Sequence, residues 1–366
     1  MKHLDTLDIE IAVKPEVKEK IKSKLTTVND TVYGVGGACI GEHPSGLYSF
    51  FYICMCYILI VKVKHIAMVG INSAEVLQEQ LINMITEYFE INRDDIVEVI
   101  NIRDKNQKIK IKTKKGKEIS RIIGGQQTSI TDIAINRSEY KNDYKTKNED
   151  EILAIQDIQR ISAEKYYSYE QFLYDYSENN NSRINSVYAK DGSGYVAITG
   201  YFKEYEQSEK ENPENAEKYK GIFRTEVKLK NGHLNYKKDS KQRDKTLKSY
   251  FDENVAKEYF EKYAQKIYYT EPFFRIDVAI SKIYESKKLK EYMKIRLGEF
   301  LTRINEVGIT ESSKKYNPRT FRNYIKKVRE MGINPLCFSR YIDGKEIETR
   351  KMDNFIMFEN SIDEDI

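Results

Sequence analysis

The chain has four cysteines, Cys39, Cys54, Cys56 and Cys337, and no two of them form a C-x-x-C pair. With no signal peptide, this points to a reduced cytoplasm and leaves the reactive chemistry to other residues. Long apolar runs are also missing. The most apolar stretch, residues 48–61, falls short of the roughly 20 residues that span a bilayer, so a buried strand is expected there and no membrane partner. Cys54 and Cys56, two apart within it, share one strand face and read as core. The glycine-rich stretch 34–46, with His43 and Pro44, lacks the G-K-[ST] ending of a phosphate loop and reads as a connection. There is no internal repeat.

A chain of 366 residues implies two or three domains. Net charge is only +4, but the basic residues cluster at 105–117 and 312–329. Clustered Lys and Arg with aromatics nearby is the footprint of nucleic-acid binding, and equally of a solvated lysine-rich face.

Residues 6–13 alternate like a strand with one polar face, and 15–25 read as a short charged helix. Residues 73–89 carry the start signal and apolar spacing of an amphipathic helix. Strands are expected at 96–102, 108–113 and 118–123, and helices at 148–161 and 166–177. A charged helix or loop follows at 204–218, and a strand at 221–230 ends at Asn231-Gly232. From 244 onward the pattern is helical: 246–252, 255–268, 277–284, 288–307 and 317–331. Gly308 and Gly332 fit as helix stops. A composition shift near 237–243 marks a domain boundary, and 353–366 reads as a frayed acidic tail.

Two stretches carry candidate chemistry. Apolar runs at 184–188 and 195–199 flank Asp191-Gly192-Ser193-Gly194, a hairpin signal. Tyr188 and Tyr201 lie on its arms or just beyond, followed by Lys203 and Glu206. A phenol is a useful nucleophile only with a base, a cation or a metal nearby. With 28 tyrosines in the chain, a tyrosine packed against the core is the plainer reading. On the alternating stretch 130–145, Arg137, Glu139 and Asp143 fall on one strand face, with no paired lysine evident there. Two carboxylates so placed can hold a divalent cation, or simply face solvent.

These residues resemble the replication initiators of rolling-circle plasmids and phages, of the trans-acting Rep type (replication initiation factor), related to the phage gene II/X proteins. Tyr201-x-Lys203-x-x-Glu206-Gln207 resembles the family's Y-x-K-x-x-E-Q stretch after a strand bearing Tyr188. Arg224-x-Glu226 resembles its R-x-E-[VI]-x-L-K strand, and Arg137-x-Glu139-x-x-x-Asp143 its R-x-[DE]-x-x-x-D strand. The likeness covers about residues 130 to 340. The His-hydrophobe-His metal motif of the wider nickase superfamily is absent, since His3, His43, His65 and His233 are scattered. Ala189-Lys190 also stands where small residues are expected.

The resemblance implies an α+β fold: an antiparallel, nickase-like sheet with flanking helices, then a helical, winged-helix or helix-turn-helix-like C-terminal domain. The expected division is 1–125, 126–240 (which joins 1–125 in one domain or stands apart), 244–345, and the tail. It implies an origin-specific DNA nicking-closing endonuclease that starts rolling-circle replication through a phosphotyrosine. Tyr188 is preferred as nucleophile over Tyr201, with Lys203 neutralising the phosphate or lowering the tyrosine pKa from about 10. Glu139, Asp143 and Glu226 would hold Mg²⁺ or Mn²⁺. Arg137, Arg224, Arg319, Arg322, Asn323, Lys326 and Arg329 would contact DNA. In the helical part, 294–307, a turn at Gly308-Ile309-Thr310 and 317–331 resemble a helix-turn-helix. Its second helix is capped by Asn317-Pro318, and Phe321, Ile325 and Val328 turn inward. The implied partners are origin DNA as duplex or hairpin, a host replicative helicase and a second copy of the chain. The competing expectation is a non-catalytic, sequence-specific DNA-binding protein on a degenerate nickase scaffold.

Overall fold

The computed structural model describes residues 2–24, 39–42, 57–63, 73–101, 108–112, 118–122, 125–129, 131–162, 169–175, 182–209 and 213–362. Its strands are β1 (Leu4–Val13), β2 (Cys39–Glu42), β3 (Tyr57–Val63), β4 (Ile96–Asn101), β5 (Lys108–Lys112), β6 (Glu118–Ile122), β7 (Gly125–Ser129), β8 (Ala134–Lys145), β9 (Tyr169–Asp175), β10 (Ser182–Lys190), β11 (Val196–Phe202) and β12 (Ile222–Lys230), with shorter pairs near the C-terminus. The protein is α+β, built on an antiparallel sheet with several helices. It divides into two compact units, residues 1–139 with 229–255 and residues 140–228 with 256–366. This differs from the expected borders at 125/126 and 237–243. The observed division falls inside strands, within β8 after Glu139 and within β12 after Lys228, where no loop or composition signal marks it. Among the described residues no helix is long and apolar enough to cross a membrane. Cys54, Cys56, His43 and His65 lie outside the described residues, as do residues 48–56.

The first unit holds the strand order β2-β3-β1-β8, with β4 added to β1 and β7 to β4. Pairs β1–β3, β2–β3, β1–β4 and β4–β7 are antiparallel. Leu7, Ile9, Ile11 and Val13 of β1 are fully buried, the face that period-two alternation selects. The helix Ala74–Phe89 starts where the Ser73 hydroxyl accepts from the Val76 amide. It buries Leu77, Leu81, Ile85 and Phe89, one stripe at four-residue spacing. Asn231–Asp239 forms a helix directly after β12, so Asn231-Gly232 ends the strand without giving a loop.

In the second unit the order is β8-β12-β11-β10-β9. Residues 169–175 form strand β9, not the helix expected over 166–177. They pair antiparallel with β10, and the aromatic residues Tyr169, Phe172 and Tyr174 suit a pleated strand. The hairpin β10–β11 closes at the expected turn: Asp191 Oδ1 accepts from the Tyr195 and Val196 amides, and Gly194 takes φ +71°. The helix Glu149–Ile161, capped by Asn148, buries Leu153, Ile155, Ile158 and Ile161. At Gly200 a Cβ would lie 2.8 Å from the Tyr268 hydroxyl and 3.0 Å from the Phe223 ring, so the strand approaches these rings only because it carries glycine.

The expected frayed tail is a correction: Phe355 is fully buried, 4.8 Å from Phe223 and 5.0 Å from Phe273 and Tyr268, ring centre to ring centre. Four consecutive apolar residues among the acidic ones, Phe355, Ile356, Met357 and Phe358, give this segment surface to bury. The helices include Glu253–Tyr259, a single π-helical turn Phe260–Ala264, Gln265–Tyr268 and Ile276–Glu285. A long helix, Glu291–Lys315, breaks at Gly308, whose φ is +81°. Helix Pro318–Glu330 is capped by the Asn317 side chain. The expected turn at Gly308-Ile309-Thr310 is therefore a kink followed by more helix.

Candidate active site

Strand alternation places one set of polar side chains together on a single face of the second unit's sheet. On β10, Val187 and Ala189 are buried while Tyr188 and Lys190 are partly exposed. Across the hairpin, Tyr188 stands opposite Thr199, and Ser186 opposite Tyr201, so both tyrosines belong to this face. On β12 it carries Arg224, Glu226 and Lys228, and on β8 Lys141 and Asp143.

The two tyrosines differ. The Tyr201 hydroxyl donates to Glu226 Oε1 at 2.7 Å. Burial, with the Glu226 carboxylate beside it, pushes its phenol well above the ordinary tyrosine range. Tyr188 has no such partner among the described hydrogen bonds. The Lys190 ammonium lies 5.0 Å from its ring centre, a cation–π distance. Lys190, which departs from the small residues of the resembled pattern, lies two residues from Tyr188 on the same strand face.

The carboxylates are held by cations. Arg224 donates from Nε to Asp143 Oδ1 and from Nη2 to Oδ2, each at 2.6 Å. Lys141 Nζ adds a contact to Asp143 at 3.4 Å. A paired lysine does therefore stand on this face, correcting the expectation that none did. Lys228 Nζ lies 2.8 Å from Glu226 Oε2. Asp143, Arg224, Glu226 and Lys141 are all buried. Buried charges persist only with such partners. In the first unit, Arg137 bonds Glu139 and lies 4.0 Å from Asp8.

The oxygens of Glu139, Asp143 and Glu226 are the right donor type for Mg²⁺ or Mn²⁺. As arranged, an ion would have to displace Arg224 from Asp143, and Tyr201 and Lys228 from Glu226, so the residues do not fit a resident ion. Among the described residues, no group of three or more His, Cys, Asp or Glu side chains is placed to hold a metal. Lys203 is buried, with Nζ 2.8 Å from Glu206 Oε2 and 5.4 Å from the Tyr219 ring centre. It is turned to Glu206, away from the role of free phosphate partner.

On helix Pro318–Glu330, Arg319, Arg322, Asn323 and Lys326 are exposed, as their spacing predicts. Tyr324 and Val328 are buried, while Phe321 and Ile325 are only half-buried. Arg329 is committed elsewhere: its Nε bonds Glu271 at 2.8 Å and its guanidinium covers the Tyr269 ring at 5.3 Å. No protein-family model matches the chain, and no curated protein matches it.

Proposed function

We propose that this protein starts rolling-circle replication, nicking and rejoining an origin strand through a covalent bond to Tyr188. The observation that carries the reading is the contrast between two tyrosines on one sheet face. Both are half-buried, but the Tyr201 hydroxyl is tied to the Glu226 carboxylate, which opposes its ionisation, whereas Tyr188 has the Lys190 ammonium over its ring. The Tyr188 oxygen attacks phosphorus, forming the tyrosine–phosphate bond as the bond to the 3′ oxygen breaks. The phenolic proton passes to water, and the departing 3′ oxygen takes up a proton to become the primer hydroxyl. The 5′ phosphate stays on Tyr188, and attack by a 3′ hydroxyl reverses the step without an energy cofactor. Lys190 is placed to offset charge on the scissile phosphate. Arg224, with Asp143, and Glu226, with Tyr201, hold the strands that carry this face.

The helical part supplies origin binding in this reading. Helix Pro318–Glu330 presents Arg319 and Asn323 to solvent on one side, and Arg and Asn pair with guanine and adenine edges in a major groove. A short hairpin, Tyr341–Ile342 with Lys345–Glu346, follows this helix in the chain, the order in which a wing follows a recognition helix. A second reading, a DNA-binding protein without catalysis, is favoured by the carboxylates: each is already neutralised by a cation. Incubation with labelled DNA of the replicon that carries the gene, with and without Mg²⁺ or Mn²⁺, followed by a denaturing gel separates the two. A labelled protein band supports nicking; DNA binding with no such band supports the second reading.

A further inference from the structure

The second unit contains a cleft of about 1100 Å³ that the nicking face does not use. Its walls are the π-helical turn Phe260–Ala264 and the residues after it, helix Pro318–Glu330, and the tip of the β10–β11 hairpin at Asp191 and Gly192. Three features coincide there. Cations and aromatic rings alternate: Lys262, Lys266 and Arg322 with Tyr269 and Phe321. The Lys262 and Lys266 ammonium groups both cover the Tyr263 ring, at 5.4 and 5.2 Å from its centre. The backbone is irregular at the same place, with a π-turn and with Tyr269 at φ 56° and ψ −164°. Both irregularities concentrate at functional sites.

Charge selects the ligand. Four acidic residues line the cleft; Glu271 is neutralised by Arg329 and Glu330 by Lys326, and Glu261 is exposed. The Asp191 carboxylate is occupied in the hairpin turn. Lys262, Lys266 and Arg322 are exposed and make no ion pair with another described residue. Half-buried Phe321 offers ring surface between them, and so does half-buried Tyr269 on the side that the Arg329 guanidinium leaves uncovered. Cations that track phosphates beside rings that stack on bases form the pattern of a single-strand nucleic-acid site, since duplex DNA keeps its bases stacked on each other.

We propose that this cleft binds a short single-stranded DNA segment, with Lys262, Lys266 and Arg322 on its phosphates and Phe321 and Tyr269 against its bases. The proposal deepens the nicking reading and rests on it: a nicking protein must hold an unpaired strand, and the hairpin that carries Tyr188 also forms one rim of the cleft.

The test is fluorescence anisotropy of the full-length protein with a labelled 12-nucleotide oligo(dT), a duplex of equal length, and an acidic peptide as control. The double variant Lys262→Ala/Lys266→Ala removes two exposed side chains and is expected to fold. Its single-strand affinity should fall about tenfold, with the salt slope shallower by about 1.4 units, at about 0.7 per phosphate contact. Duplex affinity should stay within about twofold. Phe321→Leu keeps an apolar core contact and should lose about fivefold or more on the single strand alone, because a stacking ring is gone. An unchanged single-strand affinity, an equal loss on duplex, or wild-type binding to the acidic peptide and not to oligo(dT) would each overturn it. The assay requires no cleavage. Single-strand binding without a covalent adduct would remove the nicking reading and keep the cleft, and an adduct with unchanged oligo(dT) binding in the double variant would do the reverse.

Discussion

Arg224 on β12 holds both oxygens of Asp143 on β8, each nitrogen 2.6 Å from its oxygen, and both side chains are almost wholly buried. Such a bidentate pair fixes two strands in register as well as balancing charge. Arg224→Ala leaves the Asp143 carboxylate buried without its bidentate partner. Urea unfolding should show a loss near the lower end of the ~3–5 kcal/mol seen when one partner of a buried pair is removed. A loss well under about 1 kcal/mol would mean that the pair does not organise this face. Asp143→Asn should leave any metal concentration needed for DNA cleavage where it is in wild type. A strong rightward shift in the metal titration would instead make Asp143 an ion ligand.

The pH dependence follows from Tyr201. Burial, reinforced by Glu226, raises its folded-state pKa above the unfolded value. Its contribution to stability is therefore full below the unfolded value of about 10 and is lost as pH rises from there towards the folded value. Wild type should lose stability between pH 9 and 11, and Tyr201→Phe should lose less over the same interval. Denaturant unfolding at pH 7, 9 and 11 on both proteins checks this; equal losses would show that Tyr201 does not titrate with unfolding.

Helix Pro318–Glu330 gives a test of sequence reading. Arg319 and Asn323 are exposed and four residues apart, on one side of the helix. If they read bases, alanine at either costs roughly 1–3 kcal/mol on the cognate origin and relaxes preference there. Equal weakening on cognate and random duplex across several salt concentrations would make them phosphate contacts only.

Much of this arrangement was legible in the sequence. Asp191-Gly192-Ser193-Gly194 marked the hairpin, Ser73, Asn148 and Asn317 marked helix starts, and Gly308 marked a break. These signals are local, so a short window contains them. What failed depended on distant partners. Residues 169–175 are a strand because β10 pairs with them, and no window around Phe172 shows that. Phe355 is core because Phe223 and Phe273 wait for it, although acidic neighbours make the segment read as a tail. At the candidate site, alternation put Arg224 and Glu226 on one face correctly. The occupation of each carboxylate by a specific cation was not readable, because pairing between Asp143 and Arg224 joins residues 81 positions apart.

The central claim rests on Tyr188, and trapping the covalent protein–DNA bond tests it most directly. Wild type, Tyr188→Phe and Tyr201→Phe are incubated with labelled origin DNA and resolved under denaturing conditions. The expected result is a labelled protein band for wild type and Tyr201→Phe, none for Tyr188→Phe, and unchanged DNA binding by Tyr188→Phe in a native assay. A band that persists in Tyr188→Phe and vanishes in Tyr201→Phe would move the nucleophile to Tyr201, and no band from any of the three while all bind DNA would contradict nicking by this protein.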